Sequence, residues 1–476
     1  MDEFDEEESI DTKYEIIEKI GSGGQANIFR VKKIGTDKEY AAKVFKEDSK
    51  YDSKYIDNEI NMLQEVKQYQ CPYIIKIIDS GEGKVIRKER NTKERKYFIL
   101  EKLRNGCAFD FWHPKQSIKE IYCKIIFQKI FLGIQCLHKH NICHRDLKLE
   151  NILFDEDFNP IISDFGYACF NSNDLKYNVG TKKFMPPEAK IGKYDGIKGD
   201  IFYLASALMI FRTGDLPFDR PDKDKDKNKN KKKDEDDIKF KYIIEENYEL
   251  YWKEIENKLK IEDDLSPDFK DLLWKMVSYD PNKRITIDEM LAHPWFKEIN
   301  DMKKDNPDEF KKKEEEIKDM FKSVIDQVND SLKLELDNGN IKSKEASYNK
   351  GVSDNKGIFN SNAKPKKVYT PMNIKYCINI IGILEPVKFM NRLYDEIKDE
   401  FILEYNINPD KKILKLDIEK DTKNVDESLT MEIKLYQDSE KYILRFKQKN
   451  GDIYKFFDIY KNISDKVIKL LNNKIY

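Results

Sequence analysis

Three stretches of this chain concentrate residue types that handle phosphate. Gly21-Ser22-Gly23-Gly24-Gln25-Ala26 lies between two segments of strand character. Glycines there let backbone N–H groups approach a phosphate chain with no Cβ in the way. No Gly-Lys-Ser/Thr closes the motif, so it is not a Walker loop. Its place between strands, rather than before a helix, disfavours a dinucleotide fold. Taken alone, the segment also reads as an ordinary Gly-rich hairpin. The next strand carries Lys43 within Ala41-Ala42-Lys43-Val44-Phe45. A buried ammonium needs a counter-charge, and Glu59 on the following helix is the candidate. Paired in this way, Lys43 is fixed to grip the α- and β-phosphates; a purely structural ion pair is the alternative. The third stretch is His144-Arg145-Asp146-Leu147-Lys148-Leu149-Glu150-Asn151, followed by Asp164-Phe165-Gly166.

The elements that position these residues are legible from apolar spacing. Residues 13–20, 27–34 and 38–45 alternate or cluster apolar side chains at strand length, with turn residues between them. Ile56, Ile60 and Leu63 have helical spacing, as do Ile121, Ile125, Ile130, Ile134 and Leu137. The pattern stays mostly helical to about Phe296, so a strand-rich part precedes a helix-rich one. Residues 1–12 read as a solvated acidic tail without a secretory apolar core. Residues 219–238 contain almost nothing apolar and read as a disordered charged insertion. Residues 298–368 read as a charged helix followed by a flexible linker.

Composition narrows the class. The 476 residues include 87 Lys+Arg and 89 Asp+Glu, for a net charge of −2, which argues against a nucleic-acid binder. No run of about 18 apolar residues is present, so no transmembrane segment is expected. The seven cysteines, Cys71, Cys107, Cys123, Cys136, Cys143, Cys169 and Cys377, form no C-x-x-C pair. They read as scattered packing residues in a reducing, cytoplasmic setting, with neither a disulfide framework nor a zinc site.

The motifs in this order over residues 14–296 resemble the eukaryotic protein kinase domain. The resemblance implies an α+β, bilobal fold, with a β-rich N-lobe and a helical C-lobe spanning residues 13–297. It implies transfer of the γ-phosphoryl group of ATP to a protein hydroxyl. Asp146 is then the base, Lys148 steadies the γ-phosphate, and Asn151 and Asp164 are the Mg²⁺ ligands. Lys43 and Glu59 hold the phosphates together with Gly21 to Ala26. Glu101 and Leu103 correspond to the hinge that pairs with adenine. Ile20, Ile28, Ala41 and Leu153 form its apolar sandwich, with Leu100 as gatekeeper. Gly180-Thr181 and Met185-Pro186-Pro187-Glu188 correspond to the end of the activation segment, where Thr181 helps to hold the catalytic loop. Asp200 corresponds to the aspartate that ties the catalytic loop, and Arg284 to the partner of Glu188.

Lys148 and the Gly-Thr pair resemble serine/threonine rather than tyrosine kinases, in particular the calcium/calmodulin-dependent and AMP-activated-like group. Arg145 before Asp146 resembles kinases whose activation segment is ordered by a phosphate; Tyr177 and Ser172 stand near the phosphate position. Cys107 replaces a Glu that in related kinases reads a basic residue before the target, while Glu150 remains. Ala26, Phe202, Ala205 and Pro186 depart from the family pattern without touching a catalytic group. A pseudokinase scaffold and a small-molecule phosphotransferase are the rival readings. Intact Lys43, Asp146, Asn151 and Asp164 oppose the first. The peptide-docking segment and Arg284 oppose the second.

A second unit, residues 369–476, reads as helix, antiparallel strands, helix. Phe389, Leu393, Ile397 and Phe401 make one helical face. Strand alternation follows at Leu414 to Ile418, Leu429 to Leu435 and Tyr442 to Phe446, and Ile459, Ile463, Val467 and Leu471 close with a helix. Asn450-Gly451 is a hairpin signal before Ile453 to Phe456. This order resembles the kinase-associated C-terminal domain and implies a regulatory role, by autoinhibition or through a partner. The preceding segment lacks the Ala-Phe pair of kinases that bind calcineurin-B-like calcium sensors. Lys434, Lys441, Arg445, Lys447 and Lys449 are candidates for a basic face toward anionic lipid, which would place the protein peripherally at membranes. A solvated charged sheet face is the alternative.

Overall fold

The computed structural model describes residues 10–22, 26–46, 53–84, 94–103, 105–111, 118–172, 175, 179–181, 184–192, 194–218, 238–259 and 265–337. In the C-terminal part it describes residues 375–381, 392–393, 395–397, 402–408, 413–419, 430–438, 441–450, 463 and 466–467. Gly23, Gly24, Gln25, Tyr177, the insertion at 219–237, the linker at 338–374 and Gly451 with the segment after it lie outside the described residues. The chain divides into two units: residues 1–322 with 367–371, and residues 323–366 with 372–476.

In the first unit the strand-like segments pair into one antiparallel sheet. Its strands are β1 (Tyr14–Ser22), β2 (Ala26–Lys33), β3 (Glu39–Phe45), β4 (Ile77–Lys84) and β5 (Glu94–Glu101), in the order β1-β2-β3-β5-β4. A short helix, α1 (Ile10–Lys13), precedes the sheet. Ile10 is fully buried in a cluster with Tyr14, Val31, Ala42, Val44, Tyr97 and Ile99. Part of the stretch read as an acidic tail therefore belongs to the folded body. A single apolar residue among acids has no periodicity to betray it, yet it fills the outer face of the sheet.

Helix α2 (Ser53–Gln68) packs beside the sheet, burying Ile56, Met62, Leu63 and Val66. The helical lobe is built on α3 (Glu120–Lys139) and α5 (Gly196–Thr213). Helix α5 is apolar nearly all round and correspondingly buried. Asp195 caps its N-terminus, accepting from the Ile197 and Lys198 amides, and Gly214, at φ 77°, ends it in the left-handed region. Between α3 and α5 lie β6 (Ile142–Cys143), β7 (Ile152–Phe154), β8 (Pro160–Ile162), β9 (Cys169–Phe170) and α4 (Pro187–Ile191). Strands β6 and β9 pair, as do β7 and β8. The lobe is completed by α6 (Ile238–Ile244), α7 (Tyr248–Lys258), α8 (Pro267–Met276), α9 (Ile287–Leu291) and α10 (Lys297–Asp305).

The charged helix expected after residue 297 is α11 (Pro307–Asp337). Its first turns belong to the first unit. Phe321 is fully buried, with its ring centroid 4.2 Å from Phe111, 5.0 Å from Phe154 and 5.6 Å from Phe158. Glu316 accepts from the Tyr122 hydroxyl at 2.8 Å, and Glu314 pairs with Lys129 at 2.7 Å. Truncating an aromatic ring in such a core typically costs about 3–5 kcal/mol. Phe321→Ala is therefore expected to lower the midpoint of chemical unfolding clearly. An unchanged midpoint would show that the ring is not packed as described.

The cysteine expectation is corrected at one place. Cys71 and Cys136 form a disulfide, with a sequence separation of 65, joining the turn after α2 to α3. Local spacing could not announce it, because only the tertiary fold brings the two thiols together. His140 completes the one set of three metal-type donors found among the described residues, but both sulfurs of that set are committed to each other.

The second unit holds a five-stranded antiparallel sheet of β10 (Lys375–Ile381), β11 (Ile402–Asn408), β12 (Ile413–Glu419), β13 (Thr430–Asp438) and β14 (Lys441–Asn450). The order is β10-β14-β13-β12-β11. Residues 392–393, 395–397, 463 and 466–467 are helical. Leu393, Ile397, Ile463 and Val467 are fully buried, and Lys466 Nζ donates to the Glu396 carbonyl at 2.8 Å. No helix among the described residues is long and apolar enough to cross a membrane.

Candidate active site

Lys43 sits in mid-sheet, paired with Ile28 on one side and Phe98 on the other. Its Nζ reaches both carboxylate oxygens of Glu59, at 2.6 and 2.8 Å, and Asp164 Oδ1 at 3.5 Å. Burial pulls the Lys43 ammonium down, but Glu59 and Asp164 more than reverse this and leave its pKa above the ordinary lysine value. Burial pushes Glu59 up to about 7, against the pull of Lys43. The Asp164 carboxyl resists its own desolvation and lies below the ordinary aspartate value, held there by Lys43, Lys148 and His144.

Asp164 has φ 64°, a left-handed conformation that a non-glycine residue adopts at a cost. Phe165 beside it is fully buried, 5.1 Å from the His144 ring. Asn58, a neighbour of Glu59, donates to the carbonyls of Gly166 at 3.3 Å and Ala168 at 2.9 Å. Helix α2 thus holds the Asp164 segment directly through Asn58, and through Glu59 only by way of Lys43. Sequence reasoning missed Asn58, because its partners lie more than a hundred residues away and nothing local marks it.

The opposite wall is the loop after β6. Asp200 is fully buried and accepts from the His144 amide at 2.8 Å and the Arg145 amide at 2.7 Å. His138 Nε2, also missed in the sequence, lies 3.1 Å from Asp200. These bonds fix a loop in which Arg145 takes φ 65°. Asp146 Oδ1 accepts from the Thr181 amide and hydroxyl, both at 2.7 Å. Its Oδ2 lies 2.8 Å from Lys148 Nζ. Burial opposes the charge on Lys148, yet Asp146 and Glu150 keep its pKa above the ordinary value. Lys148 also donates to Thr181 Oγ1 at 2.9 Å, and Asn151 Nδ2 donates to the Asp146 carbonyl at 2.8 Å. Gly180 allows this closure: a Cβ there would lie 2.4 Å from the Arg145 carbonyl and 2.6 Å from the Tyr203 hydroxyl. Arg145 Nε donates to the Tyr167 carbonyl at 2.6 Å.

Ile20 is buried, whereas Ile28, Ala41, Leu100, Leu103 and Leu153 are half-buried. Ala41 pairs with Leu100, and Glu101 donates its amide to the Lys76 carbonyl at 3.1 Å. Gly21 and Ser22 end β1, opposite Ile28 and Asn27, and Ala26 opens β2. Glu188 and Arg284 form a two-pronged pair at 2.7 and 3.2 Å. Ser172 is exposed and Glu150 half-buried.

In the turn Ala108–Phe111, Asp110 accepts from the Cys107 amide at 2.7 Å through Oδ2. Its Oδ1 is buried with no hydrogen-bond partner among the described residues. Burial pushes its carboxyl up to about 7. A folded-state pKa above the unfolded value of about 3.9 means that ionisation opposes folding. The penalty is absent below about pH 4, grows as pH rises and levels off above about pH 7. Asp110→Asn removes the titration. The difference in melting temperature, Asn variant minus wild type, is expected to rise across that window and then stay flat; a difference constant with pH would exclude it.

Comparison with known proteins gives the family. A family model described as the protein kinase domain matches residues 14–296, more than half of the chain. The chain is similar to a probable serine/threonine-protein kinase of Dictyostelium discoideum, at 31% identity over 47% of this chain and 24% of that protein. It is similar to CBL-interacting serine/threonine-protein kinase 13 of Arabidopsis thaliana, at 28% identity over 60% of this chain and 51% of that one. It is also similar to the probable serine/threonine-protein kinase MARK-B of Dictyostelium discoideum, at 30% identity over 62% of this chain and 37% of that one. The chain thus spans about half the length of these relatives, or less.

Proposed function

Since the chain belongs to the protein kinase family, we propose that it transfers the γ-phosphoryl group of Mg-ATP to serine or threonine hydroxyls of protein substrates. The observation that carries this reading is the Asp146 carboxylate, held by Thr181 and Lys148, together with the Lys43–Glu59 pair beside Asp164. The donor set fits a magnesium nucleotide. Asp164 offers an exposed carboxylate, and Asn151, with its amide nitrogen committed to Asp146, offers an amide oxygen; both are hard ligands. The bound ion supplies neutralisation of the phosphate oxygens. Lys43 holds the α- and β-phosphates. The Glu101 carbonyl and Leu103 amide take the adenine edge, with Ile20, Ile28, Ala41 and Leu153 on its faces. Asp146 orients the substrate hydroxyl and accepts its proton, and Lys148 steadies the transferred group. The relatives named as serine/threonine-protein kinases support a hydroxyl acceptor of that kind. Incubation with radiolabelled ATP and a peptide library tests the reading. Label on Ser and Thr is expected; label confined to Tyr, or none, overturns it.

We propose further that the second unit is regulatory and presents a basic sheet surface to anionic lipid. Register supports this: Lys434 pairs with Arg445, and Lys447 pairs with Lys375. The same register sets Lys447 opposite Glu432 and Lys441 opposite Asp438, and Lys449 falls at the shift between Thr430 and Met431, so the basic pairs are interleaved with acidic ones. The full chain is expected to sediment with phosphatidylserine vesicles, and the double variant Lys434→Glu/Arg445→Glu is expected to stay in solution. Equal sedimentation of both would remove the lipid assignment. Raised activity on deleting residues 370–476, without lipid binding, would favour autoinhibition instead.

A further inference from the structure

Two cysteines outside the phosphate-handling groups face each other across the catalytic segment. Cys143 in β6 is directly opposite Cys169 in β9 in antiparallel register. Their sulfurs are 3.5 Å apart, and the Cys143 thiol also lies 3.4 Å from the Cys169 carbonyl. Residues so paired have Cα atoms about 4.5–5.5 Å apart, inside the roughly 4.4–6.8 Å range that a disulfide spans. Only the sulfurs need to close, to about 2.05 Å.

The pair is asymmetric. Cys143 is fully buried, whereas Cys169 is half-buried and reachable from solvent. The Cys143 thiol, with help from Arg145, holds the Cys169 thiol below the ordinary cysteine value. Its bond to Cys169, together with burial, pushes Cys143 well above that value. The nucleophile and the reserve thiol are thereby distinguished.

We propose that Cys169 and Cys143 form a peroxide-oxidised site whose product is an intramolecular disulfide that locks the catalytic segment. The Cys169 thiolate attacks the peroxide O–O bond, giving a sulfenic acid and releasing hydroxide when hydrogen peroxide is the oxidant. The Cys143 sulfur then attacks the sulfenic sulfur; the S–S bond forms, the S–O bond breaks, and the oxygen leaves as water with the Cys143 proton. A dithiol reductant returns two electrons and two protons and restores both thiols. The two cysteines are 26 residues apart, and the ring so closed contains Asp146, Lys148, Asn151 and Asp164. The link ties β9 to β6 beside the Arg145 to Tyr167 bond, so the catalytic segment between them loses its freedom to adjust. Misplacement of catalytic groups by about 1 Å costs up to roughly 100-fold in rate. The chemistry of the pair stands by itself; only its effect on turnover rests on the proposed kinase activity.

Full-length protein, reduced with dithiothreitol and then freed of it, is treated with hydrogen peroxide and mapped by non-reducing peptide mass spectrometry. A Cys143–Cys169 linked peptide is expected, separate from Cys71–Cys136. A fall in phosphotransfer, up to about 100-fold and reversed by dithiothreitol, is expected with it. Cys169→Ser is expected to abolish both the link and the sensitivity. Cys143→Ser is expected to stop at a sulfenic acid on Cys169, trapped by a dimedone probe. Absence of the linked peptide in wild type, or full sensitivity in Cys169→Ser, overturns the proposal; both readouts survive if Cys143→Ser does not fold. A link that leaves turnover unchanged overturns the lock alone, whereas reduced protein with no turnover counts against the kinase assignment and not against the thiol pair.

Discussion

Asp146→Asn is expected to lower kcat for phosphotransfer by about 10²–10⁴-fold, the usual contribution of a positioned general base, while ATP binding stays as in wild type and the chain, though less stable, still folds. The substitution keeps the shape of a group that is almost fully buried. An amide oxygen placed at Oδ1 still accepts from the Thr181 amide and hydroxyl. What is lost is the charge beside Lys148, the Oδ2 acceptor of the Asn151 amide at 3.3 Å, and the capacity to take a proton from the substrate hydroxyl. The nucleotide contacts assigned to Lys43, Asp164 and the hinge are untouched, so KM for ATP is expected to move little. Steady-state kinetics with a saturating peptide, together with a thermal melt, separate the outcomes. Wild-type kcat in the folded variant would remove Asp146 from the chemistry and would favour a partner-binding role for the domain.

Much of this site was legible in the sequence because its parts are short and local. Asp146, Lys148 and Asn151 occupy one turn and the strand entry after it, and Asp164 follows the hairpin of β7 and β8. Lys43 and Glu59 lie only 16 residues apart, one on a strand and one on the next helix, so the need of a buried ammonium for a counter-charge was enough to pair them. The strands and helices could be read because apolar period reports which face is buried. It does not report what covers that face. Ile10 and Phe321 were passed over for this reason: each lies in a charged stretch and is buried only by partners distant in the chain. Asn58 and His138 were missed because a polar side chain carries no periodicity and their partners are distant in the chain; Asp110 bonds only three residues away, and what spacing does not report is its burial. The same holds for Cys71 with Cys136 and for Cys143 with Cys169, whose pairing depends on the juxtaposition of elements and not on spacing.

The partnership of Arg284 with Glu188 was carried by family resemblance alone, since 96 residues separate the two, and it makes the strongest prediction about stability. The Arg284 side chain has no solvent exposure and that of Glu188 has 15%. Besides both carboxylate oxygens, the guanidinium donates to the Lys198 carbonyl at 2.7 Å and to the Ser278 carbonyl at 3.0 Å, and it lies 5.0 Å from the Phe202 ring centroid. It therefore ties α4, α5 and the segment before α9 at one point. Removing one partner of a buried pair strands the other charge, at a cost of about 3–5 kcal/mol. Arg284→Met leaves Glu188 and two carbonyls without their donor, and the unfolding free energy is expected to fall by that amount. Glu188→Gln alone is expected to cost less, because the guanidinium keeps its carbonyls and an amide oxygen. In the double variant no carboxylate is left unpaired, so its loss is expected to be smaller than the sum of the single losses. Losses that simply add would mean that the two side chains act independently, and the pair would then not be the tie between α4 and the rest of the helical lobe.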